Sequence, residues 1–273
     1  MMFSVLMSVY YKEKPSYLDQ SLQSLFDQTV KPNQVVLVLD GVLSEKIEKV
    51  IYKWAGMYHE IELYPLDKNV GLSAALRYGL EKCRNEIVFR MDTDDVCYSN
   101  RFEEMLLFFE MHPNLEVAGS FATIINGEGE RGGILKVPIS ENDIYKNVWA
   151  CPFNHPTVCF KKSALMRIGS YSENPGPRQD DYELWFRVVA GGLKCMNLAK
   201  PLLYYRFTSS NIARNNIHVG WARLKVGLKG AFMCKCAPIA YIGVAYPLLR
   251  SLMPGFIRGK LYKLSDKFNP RTK

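Results

Sequence analysis

Glu86-Ile87-Val88-Phe89-Arg90-Met91-Asp92-Thr93-Asp94-Asp95 joins a short apolar stretch to three carboxylates crowded at its end. The apolar part has the length and composition of a buried strand. On extended backbone, side chains two apart share a face, so Asp92 and Asp94 are expected to converge while Asp95 points elsewhere. Carboxylates sharing one site repel each other, and a hard divalent cation with oxygen ligands relieves the repulsion. The usual partner of a carboxylate-held Mn²⁺ or Mg²⁺ is a substrate diphosphate. Taken alone, Asp-x-Asp also fits a solvated acidic turn, so its neighbours decide.

Upstream, strands and helices alternate. Ser4–Tyr10, Gln34–Leu39, Ile61–Leu66 and Glu86–Met91 read as strands. Between them, Tyr17–Gln28 places Leu18, Leu22, Leu25 and Phe26 on one helical face. Glu45–Met57 does the same with Ile47, Val50, Ile51 and Trp54, behind Ser44 as N-cap, and Ser73–Cys83 follows. Asn100–Met111 forms a further helix, with Asn100 and Glu103 spaced as a capping box. Helices of this length between strands imply right-handed crossovers and a mostly parallel sheet with flanking helices, an α/β fold. Ligands of such sheets gather beyond the carboxyl ends of the strands. Polar residues occupy three of those ends: Tyr10–Lys14, Asp40 and Asp92–Asp95.

Past residue 112 the rhythm changes. Leu115–Ile125 reads as a long strand, Asn126–Gly133 as a turn, and Ile134–Val137 as a hairpin return. Glu141–Ala150 and Lys162–Ile168 read as helices around the strand Thr157–Phe160. After the loop Tyr171–Arg178, a helix over Asp180–Ala190 stops at Gly191-Gly192, and Cys195–Leu198 and Leu202–Phe207 are short apolar segments.

Composition narrows the function classes. The 273 residues are 48% hydrophobic and 23% charged, which suits a full core. The net charge of +8 is concentrated: Trp221 to Lys273 carries +10, and the other 220 residues carry −2. A near-neutral body with a basic tail argues against nucleic acid as partner and for an anionic surface. The seven cysteines show no C-x-x-C spacing, and Phe3–Val9 is too short for a signal segment, so a reducing, cytoplasmic compartment is expected.

Five segments in order carry a resemblance: Ser4–Tyr10, Val35–Gly41, Asn69–Leu76, Asp92–Asp95 and Gln179-Asp180-Asp181-Tyr182-Glu183-Leu184-Trp185. Over about residues 3–210 the chain resembles the family 2 inverting glycosyltransferases with the GT-A (Rossmann-like) fold. It is most similar to bacterial enzymes of O-antigen and exopolysaccharide assembly, the amylovoran-type transferases. The resemblance implies a UDP-sugar donor bound by residues 1–112 and an acceptor half over 113–215. It implies Asp40 at the uracil, and Asp94, with Asp92, at Mn²⁺ or Mg²⁺ or at the ribose. The base for the acceptor hydroxyl is matched to Asp181. Asp180 is a reserve base or substrate-binding group, standing where the family usually has Glu.

Several residues join the donor list by chemistry. Tyr10 offers a ring to the base, and the loop to Glu13 is placed to close over it. Lys68 and Asn69, before Gly71 and a helix start, are placed to meet a phosphate. Arg77 lies on that helix, and Thr93 lies within the acidic motif. Asp95 is assigned to donor hydroxyls or to the metal's surroundings; the resemblance implies a place near the acceptor or the metal for His155, in Asn154-His155-Pro156-Thr157. Arg206 and Arg214 are candidates for ordering a loop over the diphosphate.

Processive synthases of this superfamily carry Gln-x-x-Arg-Trp and several membrane spans; this sequence has neither, which favours a single transfer per acceptor. In the tail, residues 216–273, Asn216–Met233 mixes apolar residues with Arg223, Lys225 and Lys229. Ala237–Leu249 is uncharged but shorter than the ~20 apolar residues of a span. A basic amphipathic helix lying on anionic lipid at the cytoplasmic face of the bacterial inner membrane is expected, beside a lipid-linked (undecaprenyl-diphosphate) glycan acceptor. Packing of that helix on the core is the competing reading. Two rival functions are weaker. A nucleotidyltransferase needs a Gly-rich phosphate loop where Tyr10-Tyr11-Lys12-Glu13 stands, and a non-catalytic basic peripheral membrane-binding protein needs its charge on the body.

Overall fold

The structure, a computed structural model, describes residues 1–208 and 217–252. Four strands, β1 (Phe3–Val9), β2 (Gln34–Asp40), β3 (Ile61–Leu66) and β4 (Ile87–Arg90), run parallel in the order β3-β2-β1-β4. β2 is buried at every position. Its unbroken Val/Leu run, rather than an alternation with polar residues, is what a strand covered on both faces requires.

Alternation along the strands still sorts side chains into two layers. Phe3, Val5, Met7, Val9, Val35, Leu37 and Phe89 pack beneath α1 (Pro15–Phe26), α2 (Glu45–Met57) and α4 (Arg101–Met111). Leu6, Val36, Val38 and Val88 face the other way, towards α3 (Leu72–Lys82). α3 sits close because Gly79 has no side chain: a Cβ there would lie 2.6 Å from Leu6 Cδ1 and 2.7 Å from Val38 Cγ2.

The second half adds β5 (Val96–Cys97), β6 (Val117–Ile125), β7 (Arg131–Leu135), β8 (Cys159–Lys161) and β9 (Cys195–Arg206), extending the sheet as β4-β8-β6-β9-β5. The parallel order belongs to the first four strands and to β6 with β9. β8 runs antiparallel to β4 and β6, and β7 folds back on β6 as a hairpin. Helices α5 (Glu141–Lys146), α6 (Lys162–Arg167) and α7 (Asp180–Ala190) complete this half, with 3₁₀ turns at Val148–Ala150 and His155–Thr157.

Local differences from the expected elements have physical causes. The two apolar segments after residue 195 are one strand. Lys200-Pro201 interrupts the pattern, and the register against β6 slips there, from Ser120↔Leu198 to Phe121↔Pro201, because proline has no N–H for the ladder. The Asn100–Glu103 capping box does not form. Asn100 makes no cap bond, and Glu103 accepts instead from Thr29 Oγ1 at 2.9 Å. Ser44 precedes α2 without a side-chain cap bond, whereas Ser140 accepts from the Asp143 N–H at 3.2 Å and caps α5.

The described part of the tail is two helices, α8 (Ile217–Met233) and α9 (Pro238–Leu252), and both touch the body. A Cβ on Gly230 would meet the Phe186 ring, and one on Gly243 would meet the Trp149 ring. The Arg223 guanidinium lies 4.2 Å over the Tyr182 ring. These helices therefore cover α7 and the 148–150 turn, so the packing reading applies to them. The rest of the tail lies outside the described residues. No described helix is long and apolar enough to cross a membrane.

Candidate active site

β4 stops at Arg90, and the chain turns at Thr93-Asp94 before β5 pairs with β9 through Val96↔Tyr204 and Cys97↔Leu203. This turn gathers all three carboxylates: oxygens of Asp92, Asp94 and Asp95 lie within 4.8 Å of one another. The expectation that Asp95 faces elsewhere is corrected, because strand alternation ends where the strand ends. Thr93 is buried inside the turn.

Asp95 is 1% exposed. Its Oδ1 accepts from the Arg206 N–H at 2.8 Å, while its buried Oδ2 has no hydrogen-bond partner among the described residues. Burial, then the charges of Asp94 and Asp92, push its carboxyl well above the ordinary range. Burial and Asp92 push Asp94 up to about 6. Arg90 gives partial relief: its guanidinium, 1% exposed, pairs with Asp92 Oδ1 at 2.5 Å. Arg206 ties the acidic turn to the loop between β6 and β7, donating from Nη1 to the carbonyls of Asn126 and Gly127 at 3.1 and 3.3 Å. It donates from Nε to the Asp94 carbonyl at 2.8 Å and from Nη2 to Gln20 Oε1 at 2.8 Å, and it lies 4.0 Å over the Tyr17 ring. Arg214 lies outside the described residues.

Asp40 ends β2 and ties down the loop into α3. Its carboxylate accepts from Asn69 Nδ2 at 2.9 Å and from the N–H groups of Val70 and Gly71 at 2.7 and 3.1 Å. Burial nevertheless outweighs those bonds and raises its pKa. The N–H groups expected to face a phosphate are thus turned onto Asp40, while Lys68 remains exposed beside them. Gly41, at φ +85°, permits this contact, since a Cβ there would lie 2.5 Å from the Asn69 nitrogen.

Asp180 and Asp181 open α7, whose Tyr182, Leu184, Trp185 and Phe186 are buried. Carboxylates in a first turn complement the helix dipole, but these two have further partners. Asp181 Oδ1 accepts from the Tyr182 N–H at 2.8 Å, and Cys151 Sγ lies 3.6 Å from its Oδ2. Burial and the Asp181 charge raise Asp180, opposed by a bond from the Ser73 N–H at the start of α3. The acidic turn and Asp181 act on the same two tyrosines. Tyr171, raised mainly by burial, feels both Asp181 and Asp92. Tyr205, raised the same way, feels Asp95, Asp92, Asp94 and Asp181.

The family description "Glycosyl transferase family 2" matches residues 4–173, which hold β2–β4, all of β1 but Phe3, and the acidic turn. The chain belongs to glycosyl transferase family 2. It is 37% identical over 265 residues to the amylovoran biosynthesis glycosyltransferase AmsE of Erwinia amylovora, covering 96% of this chain and 91% of that one. To the UDP-Gal:alpha-D-GlcNAc-diphosphoundecaprenol beta-1,3-galactosyltransferase of Escherichia coli it is 34% identical over 267 residues, covering 96% and 95%. Among solved structures, S. aureus TarS 1–349 in complex with UDP shares the fold. The TM-score is 0.66 at 17% identity, over 98% of this chain and 77% of that one.

In this glycosyltransferase, Arg77, His155 and Tyr10 each have protein partners of their own. Arg77 donates to the carbonyls of Gly169 and Tyr171 at 2.8 and 3.1 Å and faces Glu173 at 3.7 Å, so it braces the loop before α7. His155 is not among the grouped ligand atoms. Its Nε2 lies 3.0 Å from the Tyr171 hydroxyl, and burial, then Arg90, hold its pKa well below the usual imidazole value, so it is neutral. Tyr10 lies at the end of β1, half-buried and 5.7 Å edge-on to Tyr11, and the Glu13 N–H closes a turn onto its carbonyl.

Sequence reading missed four residues here. Arg90 had a signal: a lone cation ending an apolar strand beside three acids. Tyr171, Tyr205 and Cys151 had none, because they arrive from distant segments.

Proposed function

We propose that this family 2 enzyme moves a single hexose, with inversion, from a UDP-sugar to a lipid-diphosphate-linked glycan in O-antigen or exopolysaccharide assembly. The observation that carries this reading is the convergence of Asp92, Asp94 and Asp95 at the carboxyl end of β4, with Asp181 acting on the same tyrosines, Tyr171 and Tyr205, as the acidic turn. The donor class is supported by the E. coli relative, whose name specifies UDP-Gal, and by TarS, which was solved with UDP and with UDP-GlcNAc. The same relative's name supplies the acceptor class, a sugar on diphosphoundecaprenol.

The acidic turn fits a hard cation. Its donors are all carboxylate oxygens, two of them raised by burial and mutual repulsion, and one buried oxygen lacks a partner among the described residues. Asp94 and Asp92 would hold Mn²⁺ or Mg²⁺, which supplies charge stabilisation for a departing diphosphate. Asp181 takes the proton of the acceptor hydroxyl. The acceptor oxygen then forms its bond to the anomeric carbon on the face away from UDP, and the bond from that carbon to the β-phosphate oxygen breaks, its electron pair leaving with UDP. One such displacement inverts the anomeric configuration. Asp180 supports Asp181, Asp95 holds the turn closed, and Tyr10, Glu13, Lys68 and Asn69 border the nucleotide. Peripheral residence at the cytoplasmic face of the inner membrane, through the basic tail on anionic lipid, follows from the acceptor's lipid.

Thermal protection by a panel of sugar nucleotides tests the donor class. UDP and at least one UDP-hexose, with Mn²⁺, are expected to stabilise the protein by about 3 kcal/mol at a hundred times their dissociation constant. Protection by GDP- or CMP-sugars in place of the UDP compounds would contradict the reading.

A further inference from the structure

Residues 174–177, in the loop that leads into α7, and the first turns of α8 line an open surface cavity of about 490 Å³. Its lining is amphiphilic. Pro175, Pro177 and Trp221 provide apolar walls, while Asn174, His218 and Lys225 provide hydrogen-bond donors. Among the described residues, no carboxylate lines it. Such a set suits an anion that carries an apolar appendage. The cavity belongs to the fold rather than to a chance approach: Gly176, at φ +92°, brings the loop against α8, where an added Cβ would sit 3.7 Å from Ala222 Cβ. Trp221, 50% exposed, begins a stripe with Leu228 and Phe232, 40% and 79% exposed, at positions i, i+7 and i+11 of one helix. An apolar track therefore leads out of the cavity along α8.

We propose that this cavity is the acceptor's diphosphate site. Lys225 and His218 receive the diphosphate oxygens, and Trp221 with the α8 stripe receives the first carbons of the lipid chain. The proposal rests on the lipid-diphosphate acceptor argued above and gives that acceptor an address. The acceptor's diphosphate is bonded to the anomeric carbon of a sugar. When that sugar also bears the attacking hydroxyl, its diphosphate must lie within a sugar ring of the base. Pro177 precedes Asp180 by three residues, so the cavity wall runs directly into the helix turn that carries the acidic pair. The donor's diphosphate belongs at the acidic turn, so two strongly anionic groups are held at separate places.

The test compares two soluble acceptors that share one sugar and one short alkyl chain, the first joined through a diphosphate and the second a plain glycoside. Lys225→Gln is expected to raise KM at least tenfold for the diphosphate acceptor and to leave KM for the glycoside in place. Lys235→Gln, which removes the same charge from the link between α8 and α9 outside the cavity, is expected to change neither. An unaltered KM, or equal rises for both acceptors, would overturn the assignment. If Lys225→Gln instead weakens sedimentation with phosphatidylglycerol vesicles while KM stays fixed, the cavity takes bilayer headgroups and the proposal fails. If the wild-type enzyme turns over the glycoside but not the diphosphate acceptor, the lipid-diphosphate reading itself fails.

Discussion

Asp94→Asn is expected to lower hexose transfer by about a thousandfold while making the metal-free protein more stable at neutral pH. The activity loss follows from removing a charged oxygen from the group that would hold the cation behind the leaving UDP, a type of electrostatic contribution worth about 10²–10³ or more. The stability gain follows from linkage. In the fold, burial and then the Asp92 charge push Asp94 up to about 6 from an ordinary 3.8. The folded chain therefore binds that proton more tightly than the unfolded chain. The stability this confers is complete below the unfolded value and is lost as pH rises through about 6. At pH 7 the ionised side chain costs the fold on the order of 1–3 kcal/mol. Asparagine carries no such charge, so the variant should melt higher at pH 7 and show no such advantage near pH 3. Adding Mn²⁺ should stabilise the wild type and close the gap. Thermal melts at the two pH values, with and without Mn²⁺, check the stability claim, and UDP release checks the activity claim. A variant that melts lower at pH 7, or transfers at the wild-type rate, contradicts it.

Asp181→Asn should cost transfer about 10²–10⁴-fold in kcat, the usual range for a general base, and leave thermal protection by the UDP-sugar unchanged. Asparagine keeps the volume and can still accept from the Tyr182 N–H that now reaches Asp181 Oδ1, so the helix start should survive. Asp180→Asn should have a smaller effect on kcat. Asp180 is bonded to the Ser73 N–H on the donor side and carries the burial-raised pKa, so it shapes the floor of the site. A larger loss from Asp180→Asn than from Asp181→Asn would exchange the two roles. Loss of donor protection in Asp181→Asn would remove it from the acceptor side altogether.

Much of this architecture was legible from periodicity. Hydrophobic runs of strand length, such as Gln34–Asp40, and helical stripes, such as Leu18-Leu22-Leu25, depend on local pattern, and local pattern is what a sequence displays. The acidic turn was legible as a place but not as a geometry. Extended-strand alternation separates Asp95 from its neighbours, whereas two residues of β5 pairing with β9 bring all three acids together. A pairing across more than a hundred residues leaves no local trace. The same limit hid the partners of Arg77, Arg206 and His155, each charged or polar and each facing groups from remote segments. The tail shows a different limit. Its charge and apolar content suit both a lipid surface and a protein surface, and the close approaches at Gly230 and Gly243, with Arg223 over the Tyr182 ring, show that α8 and α9 face the body on one side.

The most direct measurement of the central claim is proton NMR of one reaction containing the enzyme, Mn²⁺, a UDP-hexose that gives thermal protection, and a sugar-diphosphate-lipid acceptor. The expected result is one new anomeric signal per acceptor, of configuration opposite to that of the donor hexose, appearing as UDP is released. A product that retains the donor's configuration, a chain of added hexoses, or no acceptor-dependent product from any protective UDP-hexose would contradict it.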